Sequence, residues 1–159
     1  MVHDIKISTD CVCDLPKGFI DKFQIAIMYY YIETETARFQ DGKEISSADI
    51  LECIESEGKS VSSKPASVEE YRNFFKSQIT EASHLIHISL ARYASAGYDI
   101  ATEAAKDMDN VHVVDSGHLS GGMGLIVLLA ADMAARGASC PLILRELEFA
   151  MKKVHSSFI

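Results

Sequence analysis

Apolar and polar positions alternate along this chain in two distinct rhythms. Short runs rich in β-branched and aromatic residues predict strands at HDIKIS (3–8), QIAIMYYYIET (24–34), HLIHISL (84–90) and VHVVDS (111–116). Segments with helical spacing separate them. PKGFIDKF starts on Pro16, which suits a first helical turn because its missing N–H would have no partner there. ARFQDGKEIS reads as a strand followed by an Asp-Gly turn. Ser46 or Ser47 then caps SADILECIESEG, and Gly58 closes it. Ser67 and Glu70 form a capping box for VEEYRNFFKSQITEA (68–82). A further helix follows ARYASAGY, a long apolar one covers GGMGLIVLLAADMAA, and SCPLILRELEFAMKKVHSSF (139–158) is amphipathic.

Strand–helix–strand alternation with nearly continuous apolar strands predicts an α/β fold, a mainly parallel sheet covered by helices on both faces. The chain has 159 residues, enough for one domain with its own core. Ligands of such sheets bind outside the carboxyl ends of the strands. The loops of interest are therefore TDCVCD, SVSSKPAS, ARYASAGY and DSGHLSGG, which share hydroxyls at Ser62, Ser63, Ser95, Ser116 and Ser120. Hydroxyls with loop amides can hold a carboxylate or phosphate without a full positive charge. The bland reading is that serines are common in loops and cap helices.

The net charge of −8 argues against a nucleic-acid or anionic-membrane partner. The interrupted acidic stretch from Asp41 to Glu57 is accounted for by a solvated helix face. No run reaches the ~18 apolar residues of a membrane span, and MVHDIKISTD lacks the pattern of a secretory signal. A cytoplasmic location is the default, with Cys11, Cys13, Cys53 and Cys140 reduced.

The Cys11-Val-Cys13 pair supplies two metal ligands where a structural zinc site needs four, and it is one residue short of a Cys-x-x-Cys redox motif. No metal site and no cofactor are expected. DSGHLSGGMG follows a strand and opens a helix but matches neither phosphate-binding glycine pattern. Gly121, Gly122 and Gly124 are expected to serve close packing of the helix start. Asp115, His118 and a loop serine form a hydrolytic triad on paper, but no Gly-x-Ser-x-Gly elbow holds a strained nucleophile. His84 and His87, three apart on a strand, face opposite sides and cannot share a metal, and His112 reads as a satisfied strand histidine.

Five elements in order carry a resemblance. TDCVCDLP is similar to a T-D-S-T-C-D-L-P signature, DGKEIS to a DG-x-x-I-s segment, and SSKPA to a T-S-Q-P-S loop. SAGYDIA is similar to S-G-T-Y-x-x-A, and VHVVDSGHLSGGMG to a V-x-V-V-D-S strand with a glycine-rich helix start. Together they resemble the DegV family of bacterial fatty-acid-binding proteins, over nearly the whole chain. The resemblance implies that Ser62, Ser63 and Ser95 hold a fatty-acid carboxylate, with Asp10, Cys11 and Lys64 as head-group neighbours. Asp10 and Asp14 are expected to order the signature turn. The sequence departs from the pattern at Ser62, at Lys64, at Cys11 and in Ala91–Ala94, where Arg92 and Tyr93 flank the mouth.

The resemblance further implies a binding protein rather than an enzyme. Its ligand is a long-chain fatty acid, which it presents to a separate fatty-acid kinase. Residues 1–159 are expected to be the family's N-terminal lipid-binding domain, with the C-terminal domain absent. Two other readings stay open: a serine hydrolase using Ser95 or Ser62 with His118, and a ligand-free interaction or fragment domain prone to self-association.

Overall fold

The computed structural model describes residues 3–58, 60–80 and 82–157, the side chains of His3, Ser56 and Glu57 aside. Strand β1 (His3–Asp10) runs into a 3-10 turn at Cys11–Cys13 and then helix α1 (Lys17–Phe23). Next come β2 (Ala26–Met28), β3 (Tyr31–Glu33), β4 (Arg38–Gln40), α2 (Ser47–Glu57) and β5 (Ser62–Lys64). The second half alternates α3 (Val68–Gln78), β6 (Ala82–Ser89), α4 (Gly97–Ala105), β7 (Val111–Asp115), α5 (Ser120–Ala135) and α6 (Cys140–Met151).

The principal sheet has four parallel strands in the order β2-β1-β6-β7. Helices cover both faces of its central strands β1 and β6. Ile5, Ile7, Ile86 and Ile88 pack with Met123, Ile126, Val127, Ile143 and Leu147 of α5 and α6. Leu85 and Val111 pack on the other face with Tyr71 and Phe75 of α3 and with Ala101 and Ala104 of α4. Fully burying such a side chain contributes roughly 1.5–3 kcal/mol, so the two layers, rather than local propensity, fix the sheet.

The expected strand 24–34 is two strands. β2 joins the parallel sheet, whereas β3 is the middle of a separate antiparallel sheet ordered β4-β3-β5. The break at Tyr29–Tyr30 lets the Tyr30 side chain turn inward, where it is 3 % exposed. The polar segment 59–67 holds β5, an edge strand that no apolar alternation announces. The expected capping box at Ser67 with Glu70 is present, and of the two serines expected to cap α2 it is Ser46 that does so, in a second box with Asp49. The third helix ends at Gln78, and its expected last turn reaches Glu81, which lies outside the described residues, as does Phe158.

Gly122 and Gly124 allow α5 to sit close against its surroundings. A Cβ at Gly124 would stand 2.8 Å from the Cys13 carbonyl oxygen, and one at Gly122 would overlap the Ser156 hydroxyl. Gly121 faces open space and has no such role. Among the described residues, no helix is long and apolar enough to cross a membrane.

Candidate functional site

The carboxyl end of the principal sheet carries a buried polar cluster centred on Asp10, which is fully buried. Burial in a low dielectric disfavours an ionised carboxyl, so the sequence must supply compensation. The Tyr71 hydroxyl donates to Asp10 Oδ1 at 2.6 Å, and the Ser89 hydroxyl and Leu90 amide each donate to Oδ2 at 2.9 Å. His87 Nε2 stands 3.3 Å from Oδ1, without a well-aligned hydrogen bond. Its Nδ1 meets the Ser8 hydroxyl at 3.0 Å. With a proton on Nε2 the ring turns that hydrogen toward Asp10 and leaves Nδ1 to accept from Ser8. Burial pushes the Asp10 carboxyl up, but the His87 contact and the Tyr71 and Leu90 donors outweigh it and hold the group below its usual range. Asp10 is thus an anionic strut tying β1 to the end of β6 and to α3. Its acceptors are already engaged, so it orders the turn and does not face a ligand.

Tyr30 links this cluster to the surface. Its hydroxyl lies 3.0 Å from the Ser95 hydroxyl, and the Gly97 amide donates to the same Ser95 oxygen at 3.2 Å. The fit requires glycine at 97, because a Cβ there would overlap the Tyr30 hydroxyl. Burial, followed by the Asp10 charge, pushes the Tyr30 phenol up, so it stays protonated at neutral pH. Ser95 is half-buried at the head of α4 and is held from two sides.

Ser62, Ser63 and Lys64 form β5 and are all exposed. The register pairs Ser62 with Glu33, Ser63 with Ile32 and Lys64 with Tyr31. Lys64 is therefore the β5 residue nearest the Tyr30 end, and Ser62 lies two positions, ~7 Å, further along the strand. Successive strand residues point to opposite faces, so only one of Ser62 and Ser63 can turn its hydroxyl to a given side. Lys64 pairs with Glu33. The Glu70 carboxylate accepts from Tyr31 at 2.7 Å and from both terminal nitrogens of Arg38. Burial pushes Glu70 up, but the Ser67, Tyr31 and Arg38 donors overcome this and bring it down to about 2. This network fastens the small sheet to α3.

Cys11 and Cys13 are structural. The Cys11 sulfur accepts from the Tyr30 amide at 3.3 Å, and its thiol lies 3.8 Å from Asp41 Oδ2. Burial first, then the carboxylates of Asp41 and Asp10, push the Cys11 thiol up to about 12. Burial also raises Cys13. A thiol held protonated is a poor nucleophile. Cys11, Leu15, Ile20, Ile27, Tyr29 and Asp41 line a cleft of about 400 Å³ beside the turn.

His118 does not join the triad that Asp115 and a loop serine allow on paper. Its Nδ1 lies 3.1 Å from the Ser156 hydroxyl and its Nε2 3.1 Å from the Met151 carbonyl oxygen. Asp115 Oδ1 accepts from the amides of Arg92 and Gly117 rather than from His118. The residues that sequence reasoning missed are Tyr30 and Tyr71. Both occur in segments whose apolar pattern explained them fully, so no local signal marked their hydroxyls as polar partners.

A parallel sheet with hydroxyl-bearing loops at its carboxyl edge and acidic struts beneath defines the class as an α/β domain, and comparison with known proteins specifies the family. The chain belongs to the DegV family, whose model, described as an uncharacterised protein of the DegV family, matches residues 4–159. It is 31 % identical over 140 residues to a DegV domain-containing protein of Caldanaerobacter subterraneus subsp. tengcongensis, covering 87 % of this chain and 50 % of that one. A Clostridium perfringens relative is 31 % identical over 135 residues, with 84 % and 48 % covered. The chain thus spans about half the length of the curated relatives it matches. Among solved structures, a DegV family protein from Thermus thermophilus, described by its fatty acid binding, superposes with a TM-score of 0.87 at 26 % identity, over 94 % of this chain and 54 % of that one. A Thermotoga maritima protein said to reveal fatty acid binding function matches with a TM-score of 0.81 at 26 % identity, over 94 % and 55 %.

Proposed function

We propose that this protein binds a long-chain fatty acid, in the cytoplasm, and presents its carboxylate to a separate fatty-acid kinase rather than acting on it. The observation that carries this reading is the match along 94 % of the chain to a Thermus thermophilus relative described by its fatty acid binding. The geometry of Ser95 supports it. Its oxygen accepts from the Gly97 amide, and if the Tyr30 hydroxyl also donates to it, the Ser95 proton is free for an incoming carboxylate. One of Ser62 and Ser63, with Lys64 at the near end of β5, supplies the second side of the head-group site. Each methylene buried by the acyl chain contributes about 0.8 kcal/mol, so the tail provides most of the affinity and the hydroxyls provide orientation. In this reading residues 1–159 act as an N-terminal lipid-binding domain.

The test is titration with a fluorescent C16 fatty acid, alongside mass spectrometry of acids released from the purified protein. Ser95→Ala removes one charge-assisted bond of about 1.5–3 kcal/mol, so affinity should fall by about ten- to a hundredfold with folding preserved. Unchanged affinity would remove Ser95 from the site. Absence of any bound acid, even when the remainder of a longer DegV relative is supplied, would sink the carrier reading. A serine hydrolase is disfavoured because His118 is committed to Ser156 and the Met151 carbonyl. Labelling of Ser95 or Ser62 by a fluorophosphonate would reverse that judgement.

A further inference from the structure

At the amino ends of β6 and β7, on the face covered by α5 and α6, three metal-binding side chains converge: His84, His112 and Cys140. Their placement follows from the register. Ile86 of β6 pairs with His112 of β7, so His84, two residues earlier on the same face, is the diagonal neighbour of His112. Cys140 opens α6 and is 5 % exposed, whereas both histidines are half-buried. The site lies five residues, ~16 Å, along β6 from Ser89 and the Asp10 cluster. It does not depend on the fatty-acid reading.

His112 Nε2 lies 3.3 Å from His84 Nδ1. The ring centroids are 5.5 Å apart, so the rings meet nitrogen to nitrogen rather than face to face. Two nitrogens on one tetrahedral zinc, each about 2.0–2.1 Å from it, stand ~3.3 Å apart. The N–N separation equals one edge of such a tetrahedron, and each ring must tilt by ~35° to turn its lone pair from the other nitrogen to the ion. The three donor atoms lie within 4.8 Å of one another. A nitrogen and a thiolate sulfur on the same ion are ~3.5 Å apart, so a shift of the Cys140 rotamer by at most about 1.3 Å closes the triangle. We propose that His84, His112 and Cys140 form a binding site for a borderline-soft transition-metal ion of the zinc class, with water as the fourth ligand. His2Cys donor sets suit zinc far better than magnesium or calcium, which prefer oxygen.

The proton balance is explicit. With His112 carrying its proton on Nδ1 and His84 on Nε2, both facing nitrogens offer lone pairs, and this is only a change of tautomer. Cys140 gives up its thiol proton, so one proton leaves for each ion bound. The ion would fasten the first turn of α6 to the amino ends of β6 and β7.

The experiment uses the tag-free 159-residue protein, stripped with a chelator and titrated with zinc by calorimetry in two buffers of different ionisation enthalpy. Cobalt is titrated in parallel. The expected result is one zinc per chain, one proton released, and a thiolate-to-cobalt charge-transfer band with tetrahedral ligand-field bands. Cys140→Ser should abolish the charge-transfer band, whereas Cys11→Ser and Cys53→Ser should leave it. His112→Gln should weaken zinc binding by at least the 10- to 100-fold typical of losing a ligand's supporting partner. If Cys140→Ser fails to fold, His112→Gln, at a half-buried position, reads the same affinity. Octahedral cobalt spectra, or zinc binding unchanged in His112→Gln, would overturn the proposal.

Discussion

Removing the Tyr71 hydroxyl tests whether Asp10 is the charged strut that the structure shows. Tyr71 is fully buried and donates to Asp10 Oδ1 at 2.6 Å, a short bond to an ionised acceptor. Hydrogen bonds to charged groups contribute about 1.5–3 kcal/mol. Tyr71→Phe keeps the ring, its contacts with Phe75 and His87, and the volume of the site. Asp10 would retain Ser89, Leu90 and the His87 contact, so the loss should fall near 2 kcal/mol at pH 7. In urea, with a slope of about 2 kcal/mol/M, the midpoint should drop by about 1 M and the slope should not change. The pH dependence is the sharper readout. The Asp10 carboxyl is depressed in the folded state relative to the unfolded chain. Its stabilisation is therefore fully present above the unfolded carboxyl pKa of about 3.9 and fades as pH falls through the depressed folded value. Tyr71→Phe narrows that difference, so the mutant's deficit should be largest near neutrality and shrink as pH falls through the depressed folded-state values of the two proteins. A deficit under 0.5 kcal/mol at pH 7, or one that does not shrink as acid titrates the Asp10 carboxyl of the folded protein, would show that Asp10 is not held as an anion by this hydroxyl.

Two further perturbations probe the ground on which the site stands. Gly124→Ala places a methyl group 2.8 Å from the Cys13 carbonyl oxygen, a backbone atom that cannot swing away, and should cost about 1–3 kcal/mol by urea unfolding. Gly121→Ala, facing open space on the same helix, is the control and should be neutral or stabilising by up to about 1 kcal/mol. Cys11, with its thiol pushed up to about 12, should resist iodoacetamide at pH 8 in the folded protein and react once urea exposes it. Rapid labelling of native Cys11, read by peptide mapping, would contradict the half-buried, protonated thiol.

The parts of the molecule legible in sequence are those where one local pattern has one physical meaning. The strand runs of β1, β6 and β7, each followed by a helical segment, predict a parallel sheet because strand–helix–strand alternation brings the chain back in the same direction. Ser67 with Glu70 predicts a helix start because that spacing satisfies two otherwise unpaired amides. The break at Tyr29–Tyr30 was not legible. A continuous run of Ile and Tyr satisfies a long strand as well as two short ones in different sheets, and only the tertiary choice to bury Tyr30 decides between them. β5 was equally hidden: Ser62, Ser63 and Lys64 have poor strand propensity and are ordered by pairing with β3. His112 was readable as a strand histidine. Its partners His84 and Cys140, however, come from a neighbouring strand and a distant helix, and no spacing rule joins residues across those distances.

The Asp10 cluster explains why the hydroxyls at the sheet's edge are so placed. A surface serine on a free loop would have to lose rotamer freedom to meet a ligand, which erodes the gain from each bond. Here the ordering is done in advance, by a chain of contacts that begins in the core. Asp10 fixes Tyr71 and the backbone at Leu90; Leu90 leads directly into the loop that carries Ser95; and the buried Tyr30, next to Tyr31 of β3, holds the Ser95 oxygen from the other side. Because β3 also pairs with β5, the same short stretch of chain that positions Ser95 sets the register of Ser62, Ser63 and Lys64. The two sides of the proposed head-group site are therefore coupled through Tyr30 and Tyr31 rather than through the ligand. This accounts for a glycine at 97, where any side chain would displace the Tyr30 hydroxyl and with it the link between the two sheets.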